Sequence, residues 1–377
     1  MAEAPTTKPS KGKAMTSGSG ATLVYVGTYT GPKSKGIHLF RLQTSNLDVS
    51  QNITLVPLGL AAELPNPSFF ELDLDRRLLF AVSEVASFEG KPGGAVSAYA
   101  IEPAGTLKLL DRRPSMGSNP CHLALDKEGR RLLVANASGS VALFPVSAEG
   151  RLGEASDVAQ LPGKSLDAAR PRARGVVVDP SQRFAFTCDL GLDRIWRHRL
   201  DESGKLAPGT PPFTAVKAGS GPGRLLFRPD GRFAYVVNEL VSTITAFAYA
   251  EKTGALEEVQ TVSTVPPYYD GPNAAGELGV HPSGKFLYVS NRGHNSVVLF
   301  TIDGDKGTLT YVEEQGTGGK KPRHFGIEPS AKHMAICNQD SDTVLASRID
   351  AGNGRLKPSG VFAQVPAPAC VKFLPPA

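Results

Sequence analysis

Eight ionisable side chains stand at the edges of apolar runs: His122, Arg224, Glu239, Glu277, Arg292, His294, Arg323 and His324. A charge beside a core is costly unless it is paired or functional, and several charges converging on one concave place are the usual mark of a site. The residue types fit two tasks. Glu239 or Glu277 can act as a general base, with His122 or His324 as alternatives. Arg292 and Arg323 suit bidentate binding of an anionic group, and Arg172, Arg174 and Arg224 add further positive charge.

These residues converge only if the chain around them repeats. The stretch from 221 to 240, GPGRLLFRPDGRFAYVVNEL, is a β-hairpin in its grammar: an apolar run, a Pro-Asp-Gly turn, a second apolar run, then Asn. Variants of it begin at Asn66, Asn119, Arg170, Asn273 and Lys321, and a half copy begins at Pro366. The opening proline falls at 67, 120, 171, 222, 322 and 368, with Ala274 in its place once. The period is therefore roughly 50 residues, which in an all-β chain points to propeller blades.

After each hairpin come a third apolar run, such as Ser296 to Phe300, and a Leu-led fourth, giving four strands per unit. The last copy lacks its second strand, and the first run, Ala21 to Tyr29, has no strand before it. Joining the two completes a seventh blade and removes the free sheet edges. The expectation is an all-β, seven-bladed propeller of four-stranded antiparallel blades over 21–377, with Val24 to Gly27 and Cys370 to Phe373 in one blade.

In such a blade the first strand lines the channel and the second returns, so the start of one and the end of the other meet at a single mouth. The opening positions read Phe69, His122, Gly175, Arg224, Glu277, His324 and Cys370, and the exits include Glu84, Asn136, Asp189, Glu239, Arg292 and Asp340. Asn136, Asn291 and Asn338 read as turn caps. His38, His198, His281 and His333 fall outside the mouth.

Composition agrees: 41% hydrophobic and 20% charged residues, with 40 Gly and 30 Pro, describe a turn-rich globular chain. No apolar run approaches the ~20 residues of a spanning helix. Residues 1–20 are small, polar and aperiodic, and read as a disordered leader. They hold three of the lysines behind the net charge of +5, so neither nucleic acid nor a membrane surface is an expected partner. The compartment stays open: cytoplasmic, or periplasmic or secreted if a signal peptide has been removed. Cys121, Cys188, Cys337 and Cys370 lie in different repeats without metal-ligand spacing, which suits buried small hydrophobes, and no metal or cofactor is expected. The nucleophile-elbow, zincin and dinucleotide motifs are absent, and Gly163-Lys164-Ser165 lacks the upstream glycine of a P-loop.

The segments NPCHLALDKEGRRLLVAN, CDLGLDRI, GRFAYVVNEL, GKFLYVSNRGHNS and PRHFGIEPSAKHMAICNQDSDTV resemble the seven-bladed lactonase family, which includes propeller-type 6-phosphogluconolactonases and fungal carboxymuconate-lactonising enzymes. The resemblance runs from Val24 to the C-terminal half blade. It implies a metal-independent hydrolase of an anionic sugar lactone acting at the channel mouth on a small lactone or sugar acid, with a monomer as the working expectation. Family site positions match at His122, Glu239, Glu277, Arg292, His294, Arg323 and His324. Where the lactonases read P-H-A-H and G-P-R-H, this chain has Pro171-Arg172-Ala173-Arg174 and Gly221-Pro222-Gly223-Arg224. By similarity to the lactonising branch, 174 would hold a His base and 223 a substrate-orienting Arg, so cycloisomerase activity is the less expected reaction. The alternative is a catalytically silent propeller holding an anionic ligand or partner protein. Within the hydrolase reading, Glu239 and Glu277 should be neighbours across a blade boundary whose mutual repulsion raises one pKa. Glu239 is then favoured as base, since it also matches the acid position of the lactonising branch.

Overall fold

The computed structural model describes residues 21–44, 53–163, 170–201 and 204–376. The leader expected over 1–20 lies outside them, as does most of the Gly163-Lys164-Ser165 stretch. Seven four-stranded antiparallel sheets form among the described residues. Blade 1 comprises Phe70–Asp73, Leu78–Ser83, Ala95–Ile101 and Leu107–Pro114. Blades 2 to 6 open with the inner strands Pro120–Leu125, Ala173–Val178, Pro222–Phe227, Ala275–Val280 and Pro322–Ile327, each paired with the strand that follows it.

Blade 7 closes the ring as expected. Its inner strand is Pro368–Leu374, paired with Leu23–Thr28 in a register that sets Val24 opposite Phe373 and Gly27 opposite Cys370. Gly36–Thr44 and Ile53–Glu63 complete it. Without Pro368–Leu374 the inner edge of Leu23–Thr28 would lie unpaired, which is the liability that an open array would carry.

The second strand of each blade is apolar on both faces because it is sandwiched between neighbouring blades, and its burial is continuous in Leu78–Ser83, Phe233–Asn238 and Phe286–Asn291. Three of these strands carry a tyrosine that staples the next blade. Tyr25, Tyr235 and Tyr288 donate their buried hydroxyls to the carbonyls of Gly105, Gly307 and Gly354. The strand-end asparagines are buried and do more than cap their own turns. Asn136, Asn291 and Asn338 donate to the carbonyls of Ser115, Thr264 and Thr317, where the outer strand of the preceding blade ends. A buried amide with its donors satisfied fixes the blade boundary beside the mouth.

The sequence does not announce one recurring irregularity. In blades 2, 3, 4 and 6 the inner hairpin slips register at one extra residue, respectively Cys121, Arg174, Gly223 and Arg323. Blade 5 does the same within Gly276 and Glu277, and blade 7 at Ala369. A β-bulge re-aims the side chains around it. In blades 4, 5 and 6 two consecutive residues, Gly223 and Arg224, Gly276 and Glu277, and Arg323 and His324, therefore line the mouth, where strict alternation would turn one of them away.

Candidate active site at the channel mouth

The bulges stack two rings of side chains at the top of the channel. The upper ring is Ser68, Cys121, Arg174, Gly223, Gly276, Arg323 and Ala369, one residue from each blade, and all line the mouth. The lower ring contributes Phe69, Arg224, Glu277 and His324 to the same opening, and the strand exits add Glu239 and Arg292. Of the expected site residues, the structure thus brings together Arg174, Arg224, Glu239, Glu277, Arg292, Arg323 and His324. His122 joins from just below, in the wall of a channel cavity of about 490 Å³ that also shares Phe69, Glu277 and His324.

Two expected residues line neither the mouth nor the channel. His294 is half-buried, with its Nδ1 2.7 Å from the Ser296 hydroxyl and its ring edge-on to Tyr269 at 4.7 Å. Arg172 precedes the strand and its bulge. Its backbone N–H donates to Asp189, and its stem packs beside Gly191.

Glu239 is held on both oxygens. Arg174 Nε donates to its Oε2 at 3.1 Å from blade 3, and Arg292 Nη2 reaches its Oε1 at 2.9 Å from blade 5. Burial favours the neutral acid, but the two guanidiniums outweigh it and lower the carboxyl from its ordinary value near 4.5 to about 2. The expectation of a raised pKa at Glu239 is therefore corrected: arginines, rather than the second carboxylate, are its immediate neighbours. A carboxylate so acidic, with both oxygens occupied, is a poor proton acceptor near neutrality.

Glu277 is placed differently. Its Oε1 accepts from the N–H of Leu278 at 3.1 Å. Its Oε2 lies 3.7 Å from Arg224 Nε and 3.6 Å from His324 Nε2, so it is oriented without being locked. The space enclosed among the mouth side chains is about 20 Å³, which is roughly the room one water molecule requires.

The two histidines are neutral. Burial, reinforced by Arg224 and Lys372, holds both imidazoles well below the ordinary range. Val176 N–H donates to Nδ1 of His122 and Val371 N–H to Nδ1 of His324, each at 3.3 Å. With Nδ1 accepting, Nε2 carries the hydrogen, so each ring can donate into the site and neither has a lone pair left to take a proton. That removes them as bases and leaves His324 Nε2 as a donor beside Glu277.

Three participants were not among the candidate site residues, although Phe69 was placed at a strand opening. Tyr29, at the exit of the N-terminal strand, donates to Glu84 Oε2 at 2.7 Å and accepts from Arg323, whose guanidinium lies 4.9 Å over its ring. Burial drives its phenol up to about 12 against the opposing pull of Arg323, so it stays protonated. Lys372 pairs with Glu71 at 2.7 Å below the mouth. Burial alone would lower its pKa, and the partner carboxylate more than reverses that. Phe69 floors the mouth, stacked on His122 at 4.0 Å between Arg224 at 5.6 Å and Lys372 at 5.1 Å. The exit list of the blades contained Glu84; no pattern pointed to Tyr29 or Lys372.

Three comparisons bear on this geometry. A family model described as "Lactonase, 7-bladed beta-propeller" matches residues 23–373. The 6-phosphogluconolactonase of Bacillus subtilis is 31% identical over 356 residues, covering 93% of this chain and 97% of that protein. Among solved structures, the periplasmic gluconolactonase PpgL of Pseudomonas aeruginosa superposes with a TM-score of 0.86 at 30% identity, covering 95% of this chain and all of that one. A putative 6-phosphogluconolactonase from Bacteroides fragilis gives 0.83 at 34% identity, over 97% and 99% of the two chains.

Proposed function

The chain belongs to the seven-bladed β-propeller lactonase family, and on that premise we propose that it hydrolyses the internal ester of an anionic sugar lactone at the channel mouth, with Glu277 as the general base. Its relatives carry the names 6-phosphogluconolactonase and gluconolactonase, so a six-carbon aldonolactone, and the 6-phosphorylated one in particular, is the substrate to try. The observation that carries the assignment of the base is the contrast between two carboxylates: Glu239 has both oxygens fixed by arginines, whereas Glu277 Oε2 has no such bond and borders a space the size of one water.

In this reading the sugar rests on the rim, because the enclosed space is too small for its ring, and only the ester edge reaches down to Glu277. Glu277 takes a proton from water as the water oxygen adds to the carbonyl carbon. The resulting oxyanion faces the Arg224 guanidinium and the Nε2–H of His324, donors already in place before charge develops. The bond from the carbonyl carbon to the ring oxygen then breaks, the leaving oxygen recovers the proton from Glu277, and the open-chain hydroxy acid gives up its carboxylic proton to solvent. Arg292 and Arg323 hold the substrate's remote anionic group.

The test is acid release from 6-phosphogluconolactone and from uncharged gluconolactone at constant pH, each compared with its spontaneous opening. Enzyme-dependent hydrolysis with the phosphorylated lactone favoured through KM supports the proposal. Rates equal to the spontaneous ones on both would leave a propeller that only binds anions.

A further inference from the structure

Among the described residues that line the mouth and the channel below it, the charges balance everywhere but in one place. Arg224 faces Glu277, Arg323 faces Glu84 and Lys372 faces Glu71, one cation to one carboxylate in each case. Around Glu239 there are two cations, Arg174 and Arg292, to one carboxylate, a surplus of one positive charge. The surplus sits at the upper ring, where a ligand arriving from solvent meets it first.

Arg174 belongs to blade 3, yet its partner ends the second strand of blade 4. It gets there across Gly223. A Cβ on Gly223 would stand 3.4 Å from Glu239 Oε2 and 3.8 Å from the Arg174 Cγ, so the stem of Arg174 occupies the ground that a longer side chain at 223 would need. The strands come together closely at this level, since a Cβ on Gly175 would meet the Gly223 carbonyl at 2.6 Å. Arg224 locks the approach by donating to the Arg174 carbonyl.

We propose that Gly223 and Arg174 act as one specificity-determining unit: the bare backbone at 223 seats Arg174 over Glu239, and the uncompensated charge that results is what selects the anionic group of the ligand. The inference rests on the proposed lactone-hydrolysing site for its substrate class, but it is tested by binding alone. With Arg174 removed or displaced, Arg292 and Glu239 neutralise one another and the mouth loses its electrostatic preference.

The experiment measures calorimetric affinity for 6-phosphogluconate and for gluconate, at low and high salt, in the wild type and in Arg174→Gln, Gly223→Val and the double variant. Gly223→Ala is the fitting control, because its added carbon meets nothing closer than 3.4 Å. Arg174→Gln and Gly223→Val should each weaken 6-phosphogluconate binding by roughly 10- to 100-fold, the worth of one charge-assisted hydrogen bond. Both should flatten the salt dependence, and the double variant should be no weaker than either single one, since both remove the same contact. Gly223→Ala should bind like the wild type. If Gly223→Val does not fold, Arg174→Gln alone decides. Wild-type affinity and salt dependence in a folded Arg174→Gln, or a wild type that does not distinguish 6-phosphogluconate from gluconate, would overturn the proposal. A wild type that binds as stated without hydrolysing any lactone would sink the hydrolase reading and leave this one standing.

Discussion

Replacing Glu239 by Gln tests the electrostatic anatomy of the mouth without any substrate. Its carboxyl lies at about 2 against an ordinary value near 4.5. At 1.36 kcal/mol per unit, that difference corresponds to about 3 kcal/mol of folding stability at neutral pH. The folded pKa is depressed, so the contribution is present above the unfolded value and is lost as pH falls from about 5 towards 2. Glu239→Gln keeps the shape and discards the charge, leaving Arg174 and Arg292 adjacent and uncompensated. Urea unfolding of both proteins across a pH series should show the variant less stable by about 3 kcal/mol at pH 7, the gap narrowing to about 1 kcal/mol near pH 3. A variant as stable as the wild type at pH 7 would refute the reasoning. A gap that does not change with pH would equally refute it, since that would mean lost packing in place of lost charge.

Other perturbations separate scaffold from chemistry. Ending the chain before Pro366 removes the inner strand of blade 7 and exposes the edge of Leu23–Thr28 that it covers, so the product should be aggregated or should lose the cooperative melt of the full chain; a monomeric protein with an unchanged melting temperature would contradict ring closure. Because His122 and His324 are held neutral, the profile of kcat/KM should show no histidine limb between about pH 5 and 8. A limb near pH 6.5 that disappears in His324→Gln would show that ring titrating after all. Tyr29→Phe removes the hydroxyl that accepts from Arg323, which should raise KM for a phosphorylated lactone while leaving kcat within about twofold, the signature of lost uniform binding.

Much of the architecture was legible because a propeller writes its geometry as a period. The recurrence of Pro, apolar run, turn, apolar run and Asn located the blades, and the two half copies at 21–29 and 366–376 located the closure. The same alignment brought Arg224, Glu239, Glu277, Arg292 and His324 to one mouth, because hairpin ends need only a count of residues to be placed. What a count cannot deliver is the bulge. It turns Arg323 and His324 inward together, and it allows Arg174 to reach a carboxylate on the next blade. Its absence from the sequence pattern left the second carboxylate as the expected influence on Glu239, whose two oxygens are in fact held by Arg174 and Arg292. His294 and Arg172 lie outside the strands, three residues past Asn291 and one before Ala173, so each follows its turn and not the strand, with its backbone N–H held by Asn273 or Asp189. Tyr29 and Lys372 escaped because each belongs to a half blade whose other half is more than 300 residues away in the chain.

The base assignment is tested most directly by the rate of 6-phosphogluconolactone hydrolysis in Glu277→Gln, measured against the spontaneous reaction and beside Glu239→Gln. With Glu277 as the proton acceptor, kcat should fall by about 100-fold or more, the usual worth of general base catalysis, while the affinity for 6-phosphogluconate changes little. Full turnover in Glu277→Gln together with a dead but folded Glu239→Gln would contradict the account and return the role to the carboxylate that the two arginines hold.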